Sequence, residues 1–362
     1  GWKYVRTNDD DCGSWRNNDI RKGINMTTNF QNEKNLIRDY YKALDSANGN
    51  DITKVLQNYI SEDYIWRGFH PFNEISDAKE VSEIFWQPFR HAFKNIQRRM
   101  DIFIAGKNQI DGFESVWVIS MGNLMGLFDN EWLGIQPSRK MAFLRYCEFN
   151  KVENGKITET AMFFDIPHVM LQVGLNPFPP QTGAHLVQPG PMTHEGLLYE
   201  EQNMEEGEKT LASINFMIED IKGWKHTGKI SLVDELRASW NEDMIWWGPA
   251  GIGSSYTIER YAEQHSGPFR AGFKDRISNG HLCKLAEGHF GGFFGWPNLT
   301  LTPTGGFMGM PASEKPGDMR VIDMYRREGD KLSENWIFID LLHFWNQQGV
   351  DILDRIKKTP RT

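Results

Sequence analysis

The sequence KLSENWIFID at residues 331–340 repeats KITETAMFFD at residues 156–165, and this repeat is the strongest indication of how the chain is organised. Both copies continue as D-x-x-H-x-x-x-Q-x-G, starting from Asp165 and from Asp340. An apolar strand that ends on a carboxylate, with a histidine three residues later, is typical of a site of proton transfer. The repeat therefore predicts two related halves, with the same position of interest in each.

The repeat extends through most of the chain. Glu-Asp-x-Ile-Trp-x-Gly at residues 62–68 recurs at residues 242–248, and Pro-Phe-Arg at 88–90 recurs at 268–270. Units of this size are too long for a solenoid repeat, so a duplicated domain is predicted. We expect a polar N-terminal tail at 1–32, a first domain at 33–177, a connector rich in Pro and Gly at 178–204, and a second domain at 205–357.

Composition and charge exclude several classes of protein. The chain has 362 residues and a formal net charge of −8, so it lacks the basic surface of a nucleic-acid-binding protein. No apolar run approaches the roughly 18 to 20 residues that span a bilayer, so no membrane partner is expected. Cys12, Cys147 and Cys283 lie far apart without metal-ligand spacing, and no disulfide framework is predicted. A reducing, cytoplasmic location is the resulting expectation.

Both halves have the same order of secondary structure. Apolar residues recur at helical spacing in residues 33–47 and 209–221, so a helix is predicted early in each half. Strands predominate later, and the turns at 153–155 and 328–330 join the last two strands of each half as hairpins. A further strand is predicted over residues 281–290. Helices followed by an antiparallel meander are typical of the α+β class.

The aspartate at the end of each repeated strand is the main candidate for chemistry. Alternate side chains of a strand share a face, so Asp340 is predicted to share the face of Trp336 and Phe338, and Asp165 that of Phe163. A carboxylate at the end of an aromatic row is partly desolvated, which raises its pKa towards the range of proton transfer. We therefore predict that these aromatic residues contact a substrate.

A histidine follows each of these aspartates by three residues. His168 and His343 lie about one turn from Asp165 and Asp340 if a helix begins at the aspartate. In that case the aspartate also qualifies as the N-cap of the helix, where its carboxylate accepts backbone N–H groups. Capping and catalysis therefore both remain open, and the paired histidine and the aromatic strand favour catalysis.

Two further pairs are candidates for substrate contact. Trp66 and Trp246 are equivalent in the two halves, and they fit a pocket wall or the core between helix and sheet equally well. His281 and His289 share a face of the strand predicted over 281–290. Nothing supplies a third ligand at suitable spacing for a metal ion there, so we expect these histidines to bind substrate and no metal.

These motifs together resemble a known family. The strand that ends on aspartate, the Gln-x-Gly after it, the Trp-x-Gly strand and Asn176-Pro177 are similar to SnoaL-like polyketide cyclases, within the superfamily of nuclear-transport-factor-2-like folds. The resemblance implies two tandem cone-shaped α+β barrels, each a curved antiparallel sheet wrapped around helices and enclosing an apolar pocket. It also implies an internal pseudo-dimer, which can itself form a homodimer.

The resemblance further implies a reaction. In the cyclases an aspartate at the position of Asp165 and Asp340 is the general acid/base of an intramolecular aldol closure, with no metal and no cofactor. We therefore expect a lyase or isomerase for a small apolar or oxygenated carbonyl compound, with His168 and His343 assisting the aspartates. The Gly-rich stretch at 247–251 favours the second half. Two alternatives stay open, a hydrolase that activates water, like the epoxide hydrolases of this superfamily, and a small-molecule-binding protein without catalysis.

Overall fold

The structure is a computed structural model that describes residues 27–184, 187–222 and 230–361. Residues 1–26 of the predicted tail and residues 185–186 of the predicted connector lie outside the described part of the chain. Helix α1 begins at Gln31, close to the predicted end of the tail. Residues 187–203 form neither helix nor strand, apart from isolated bridges such as Leu197 to Phe103.

The first half begins with helices and ends in a six-stranded sheet. Its helices are α1 (Gln31–Ser46), α2 (Asp51–Tyr59), α3 (Ala78–Val81, the π-helical turn Ser82–Trp86 and Gln87–Ala92) and α4 (Ile166–Gln172). Its strands are β1 (Ile60–Gly68), β2 (Asn73–Ser76), β3 (Phe93–Lys107), β4 (Val116–Phe128), β5 (Met141–Glu153) and β6 (Lys156–Phe164). The strand order is β2-β1-β6-β5-β4-β3, and helix α1 packs its apolar face on this sheet through Ile37, Tyr40, Tyr41 and Leu44.

The second half repeats this order of elements. Its helices are α5 (Met204–Lys222), α6 (Leu232–Ser239), α7 (Ile258–Tyr261, the π-helical turn Ala262–Ser266 and Gly267–Ala271), α8 (Leu341–Gln347) and α9 (Ile352–Arg355). Its strands are β7 (Trp240–Trp247), β8 (Ser255–Tyr256), β9 (Phe273–Ser278), β10 (Cys283–Glu287), β11 (Phe290–Phe294), β12 (Leu299–Pro303), β13 (Gly317–Met319), β14 (Val321–Glu328) and β15 (Lys331–Ile339). They form a six-stranded sheet, β10-β11-β14-β15-β7-β8, and a three-stranded sheet, β13-β12-β9.

The second sheet is split where the first is continuous. Strands β9 and β10 together correspond to β3, and β11 and β12 together correspond to β4. Pro297 lies in the gap between β11 and β12, and a proline cannot donate a hydrogen bond to a neighbouring strand. The split places β9 and β12 in the three-stranded sheet, while β10 and β11 belong to the six-stranded sheet.

The predicted α+β class is confirmed, as are both predicted hairpins, since Glu153 pairs with Lys156 and Glu328 pairs with Lys331. Two details differ. Each six-stranded sheet contains one parallel pair, because β1 pairs with β6 and β7 with β15 in parallel, so neither of these two sheets is a simple antiparallel meander. The strand predicted over 281–290 is wrong, because the chain turns at Gly288 between β10 and β11. Within the described residues, none of the helices has the length and apolar character needed to cross a membrane.

The two halves contact each other closely. The ring centroids of Phe163 and Phe294 lie 6.1 Å apart across the contact. The Lys34 ammonium group and the Glu287 carboxylate form an ion pair at 2.9 Å, and both side chains are almost fully buried. Glu287 also accepts a hydrogen bond from the backbone N–H of Ala105. The outer faces of the two sheets therefore pack together, and the inner faces point towards the helices.

Candidate functional site

Asp165 and Asp340 cap helices and also bridge the two halves. Asp165 Oδ1 accepts from the backbone N–H of His168 at 3.1 Å, and its Oδ2 accepts from Ala250 N in the second half at 2.9 Å. Asp340 Oδ1 accepts from the backbone N–H of His343 at 3.2 Å, and its Oδ2 accepts from His70 N in the first half at 2.9 Å. Each aspartate thus satisfies the N-terminus of its own helix and a loop of the other half.

An arginine accompanies each aspartate. Arg145 Nη1 lies 3.8 Å from Asp165 Oδ2 and donates to the carbonyl of Ile337 at 2.8 Å. Arg320 Nη1 lies 3.4 Å from Asp340 Oδ2 and donates to Asn73 Oδ1 at 2.7 Å. Burial raises the pKa of Asp340 to about 7, although the hydrogen bonds from His70 and His343 and the charge of Arg320 oppose this rise. The hydrogen bonds from Arg145 to Ile337 and from Arg320 to Asn73 join one half to the other.

The space beside Asp165 is small. The cavity that Asp165 and His168 line has a volume of about 10 Å³, which is room for about one water molecule. The bond from His168 to Asp165 is made by the backbone, while the imidazole Nδ1 lies 3.2 Å from Gln172 Nε2. Burial lowers the pKa of His343 to about 4, and its ring centroid lies 6.3 Å from that of His70.

The aromatic residues predicted beside these aspartates lie between the halves. Phe163 contacts Phe69 with ring centroids 4.3 Å apart. Arg145 lies over the Phe338 ring at 3.8 Å, and Trp336 Nε1 donates to the carbonyl of Pro189 at 3.1 Å. All three predicted residues, Phe163, Trp336 and Phe338, are buried on the outer face of their sheet. None of the three lines the cavity of about 360 Å³ in the second half, whose wall includes Ile337 and Ile339 on the opposite face of β15.

A cavity of about 360 Å³ lies inside the second half. Its volume is within the range of small-molecule sites. Trp246 lines it, and in the first half the equivalent Trp66 is part of the aromatic core. The wall includes aromatic, aliphatic and polar side chains from β14, β15, α5 and α7, among them Asp323, Tyr325, Asn335, Ile337, Ile339, Met217, Tyr261 and His265.

Asp323 is the acidic group on the β14 wall of this cavity. It is 8 % exposed, and Asn335 Nδ2 donates to its Oδ1 at 3.0 Å. Burial raises the pKa of the Asp323 carboxyl to about 7, although hydrogen bonds from Asn335 and Tyr325 oppose the rise. A carboxyl group with a pKa near neutrality can both release and accept a proton under physiological conditions.

Two polar rings of α7 accompany Asp323 in the cavity wall. Burial lowers the pKa of His265 to about 3, so its imidazole is neutral at pH 7. This ring stacks on Trp246 with centroids 3.8 Å apart, and its buried Nδ1 has no hydrogen-bond partner among the described residues. Burial raises the pKa of Tyr261 well above its ordinary value, so its hydroxyl remains protonated and can donate.

The first half has a comparable interior that aromatic rings fill. Phe85 stands at the position of His265, and its ring centroid lies 5.1 Å from those of both Trp66 and Phe164. Glu148 stands at the position of Asp323, and its Oε1 accepts from Tyr41 and from Asn150 Nδ2 at 2.8 Å. A substrate-sized cavity is therefore found in the second half at the place where the first half packs phenylalanine.

The structure separates the two histidines predicted to share a strand face. His281 lies before β10 and lines the cavity, where its ring stacks on Phe293 with centroids 4.1 Å apart. Burial lowers the pKa of His281 to about 4. His289 lies in the turn after β10, is 54 % exposed and faces Glu206 at 3.6 Å. Because the chain reverses at this turn, the predicted shared face does not exist.

Sequence reasoning missed Asp323, although a signal was present. Arg145-x-x-Glu148 recurs as Arg320-x-x-Asp323 at the same offset as the strand repeat. A recurring arginine three residues before an acid on a predicted strand puts the two side chains on opposite faces. Among the described residues, no cluster of three or more His, Cys, Asp or Glu side chains could hold a metal ion.

Solved structures similar to this chain each match about two fifths of it. A proposed SnoaL-like polyketide cyclase from Jannaschia sp. CCS1 is 16% identical and covers 39% of this chain and 89% of its own, with a TM-score of 0.32. An NTF2-like protein from Burkholderia xenovorans LB400 is 11% identical and covers 39% of this chain and 96% of its own, with a TM-score of 0.30. No curated protein sequence matches the chain.

The family comparison concerns the end of the second half. The family described as SnoaL-like polyketide cyclase matches residues 298–348. This range contains β14, β15 and α8, and therefore Asp323, Asn335 and Asp340. The chain thus resembles the SnoaL-like polyketide cyclases, which confirms the resemblance predicted from its sequence.

Proposed function

We propose that the second half catalyses proton transfer on a partly apolar carbonyl compound, as a lyase or isomerase of the polyketide-cyclase type, with Asp323 as the acid/base. The observation that carries the proposal is an oriented, buried carboxyl group in the wall of a cavity of about 360 Å³. The proton-transfer role predicted for Asp340 and Asp165 is thereby assigned to Asp323. Both other aspartates have their oxygens engaged by backbone donors.

The proposed reaction uses only proton and electron-pair movements. The Asp323 carboxylate removes a proton from a carbon next to a carbonyl group, and the electron pair moves onto the carbonyl oxygen to give an enolate. Tyr261 and the neutral His265 ring are the donors available to stabilise that oxygen. The enolate carbon then attacks a second carbonyl of the same molecule, and the Asp323 carboxyl returns its proton to the new alkoxide. Return of the proton to a different carbon would instead give an isomerisation.

Exchange of α-protons tests this proposal without knowledge of the natural substrate. The bicyclic ketones 2-tetralone and 1-indanone are incubated with the protein in D₂O, and loss of their α-proton signals is followed by NMR. We expect wild-type protein to accelerate exchange and Asp323→Asn to lose about 100-fold or more of that rate. The rate should rise with pH and level off above about 8, because the carboxylate is the base and the pKa of Asp323 is about 7.

Glu148→Gln is the matched control in the first half. The bonds to Glu148 reach its Oε1, which glutamine retains as an amide oxygen, so the first-half core should stay intact. This variant should exchange protons at the wild-type rate. Equal exchange by wild type and Asp323→Asn would contradict the proposal. Binding of the ketones without acceleration of exchange would favour a small-molecule-binding protein.

A further inference from the structure

The charged residues that line the cavity differ from those of the whole chain. The chain carries 48 acidic and 40 basic residues. The cavity lining has more basic than acidic residues, namely Lys222, Arg270, Arg276 and Lys284 against Glu219 and Asp323. A positive site inside a protein of net negative charge indicates a requirement of the ligand, because bulk charge cannot account for it.

Lys284 is the lining cation with the least compensation. Lys222 Nζ lies 2.7 Å from Glu219, and Arg270 Nη1 lies 2.9 Å from Glu235. Across the described residues, the Lys284 ammonium group forms no hydrogen bond and no ion pair, and the acid that attracts it is Glu219, which already pairs with Lys222. The side chain is half-buried, and burial together with the charge of Lys222 lowers its pKa. An anion placed between Lys222 and Lys284 would relieve this repulsion.

Lys284 and Asp323 belong to one row across the sheet. Lys284 pairs with Phe293 of β11, and Phe293 pairs with Asp323 of β14. Paired residues of adjacent strands point to the same face, and the cavity is lined by all three. The backbones of Lys284 and Asp323 are therefore two strand spacings apart, which is about 10 Å. Phe293 supplies an apolar surface between them.

We propose that the cavity takes an elongated, amphipathic anion, whose carboxylate or similar group pairs with Lys284 while its reacting carbon lies at Asp323. This inference rests on the proposed function and names the substrate class for it. The apolar part of the substrate would lie against Phe293 and the aliphatic residues Ile337 and Ile339. A neutral compound of the same shape would leave the half-buried Lys284 charge with only the attraction of Glu219, which already pairs with Lys222.

Two fluorescent probes differ in the relevant charge. 8-Anilinonaphthalene-1-sulfonate and N-phenyl-1-naphthylamine share the same aromatic skeleton, and the first also carries a sulfonate. Both are titrated into the full chain, and the Kd of each is measured for wild type, Lys284→Met, Lys284→Arg and Lys209→Met. Lys209 is an exposed lysine of α5 paired with Glu205, so it controls for general loss of positive charge.

We expect Lys284→Met to raise the Kd of the sulfonate by about fivefold or more and that of the neutral probe by less than about twofold. Lys284→Arg should restore sulfonate binding, and Lys209→Met should change neither Kd. Added salt should weaken binding of the sulfonate and not of the neutral probe. Methionine keeps the length and the apolar stem of lysine, so the cavity wall is preserved.

Three other results would have different meanings. Unchanged binding of both probes to Lys284→Met overturns the anionic substrate and leaves the proposed function intact. An equal rise in the Kd of both probes, together with a lowered Tm, also overturns the anionic substrate, because Lys284 would then only support the cavity wall. Absence of binding of either probe to wild type argues against a ligand-binding cavity, and so against the proposed function itself.

Discussion

Replacing Asp323 by asparagine should stabilise the folded protein above neutral pH, although it removes the proposed acid/base. Burial raises the pKa of this carboxyl from 3.8 to about 7. Because the folded chain holds the proton more tightly than the unfolded chain, the stability of the wild type falls as the pH rises from about 4 to about 7. Asparagine carries no charge at any pH, and its amide oxygen can still accept from Asn335.

The size of the effect follows from the two pKa values. A difference of about three pH units corresponds to about 4 kcal/mol of free energy of unfolding at pH 8. Altered hydrogen bonding to Tyr325 should cost the variant about 1 kcal/mol at every pH. We therefore expect Asp323→Asn and wild type to be nearly equal at pH 4.5, and the variant to be more stable by about 3 kcal/mol at pH 8.

Urea unfolding, followed by tryptophan fluorescence at pH 4.5 and pH 8, measures this difference. The control is Asp330→Asn in the exposed turn between β14 and β15, for which the difference from wild type should be small at both pH values. A difference between Asp323→Asn and wild type that is independent of pH would mean that burial does not raise the pKa of Asp323. A variant that is less stable at pH 8 than at pH 4.5, relative to wild type, would mean that donors hold Asp323 as a carboxylate.

Substitutions at the interface between the halves and in the two interiors should change stability and proton exchange in different ways. At pH 4.5 Asp340→Asn should lower the free energy of unfolding by about 1 to 3 kcal/mol, because an amide N–H₂ then meets the N–H groups of His70 or His343. At pH 8 this loss should shrink or reverse, because burial raises the pKa of Asp340 to about 7 and the variant carries no buried charge. Urea unfolding measures this loss, and α-proton exchange per folded molecule should persist; loss of exchange without loss of stability would return the acid/base role to Asp340. His265→Phe, which introduces the first-half residue, should raise the free energy of unfolding by about 1 kcal/mol and slow proton exchange by about tenfold or more. Its converse, Phe85→His, should destabilise the first half by about 1 to 3 kcal/mol, and a stabilising Phe85→His would contradict this reading of the two interiors.

Much of the fold could be predicted from the sequence because the duplication offers each element twice. The helices at 33–47 and 209–221 occur as Gln31–Ser46 and Met204–Lys222. Both hairpins and the capping alternative for Asp165 and Asp340 could be predicted, since turn chemistry and N-caps depend on neighbouring residues. The split of the second sheet and the turn at Gly288 were missed, although Pro297 and Gly288 are local signals of an interrupted strand.

The candidate site was harder to predict because both faces of β15 are apolar. Trp336 and Phe338 are packed between the halves, while Ile337 and Ile339 line the cavity. Alternation assigns residues to two faces but cannot say which face encloses a ligand when both are buried. Asp323 also differs from its counterpart Glu148, so a search for identical residues in the two halves passes over it.

The exchanged hydrogen bonds of Asp165 and Asp340 have a consequence for how the halves could diverge. In a symmetric homodimer every substitution occurs twice, so a change that fills one interior also fills the other. Here both partners belong to one chain. The backbone N–H of His70 in the first half donates to Asp340 of the second half, and that of Ala250 in the second half donates to Asp165 of the first half. Aromatic side chains around Phe85 could therefore fill one interior while the other interior remained open, without a change in the contact between the halves. Covalent linkage therefore permits two unequal interiors in one molecule, which identical subunits cannot have.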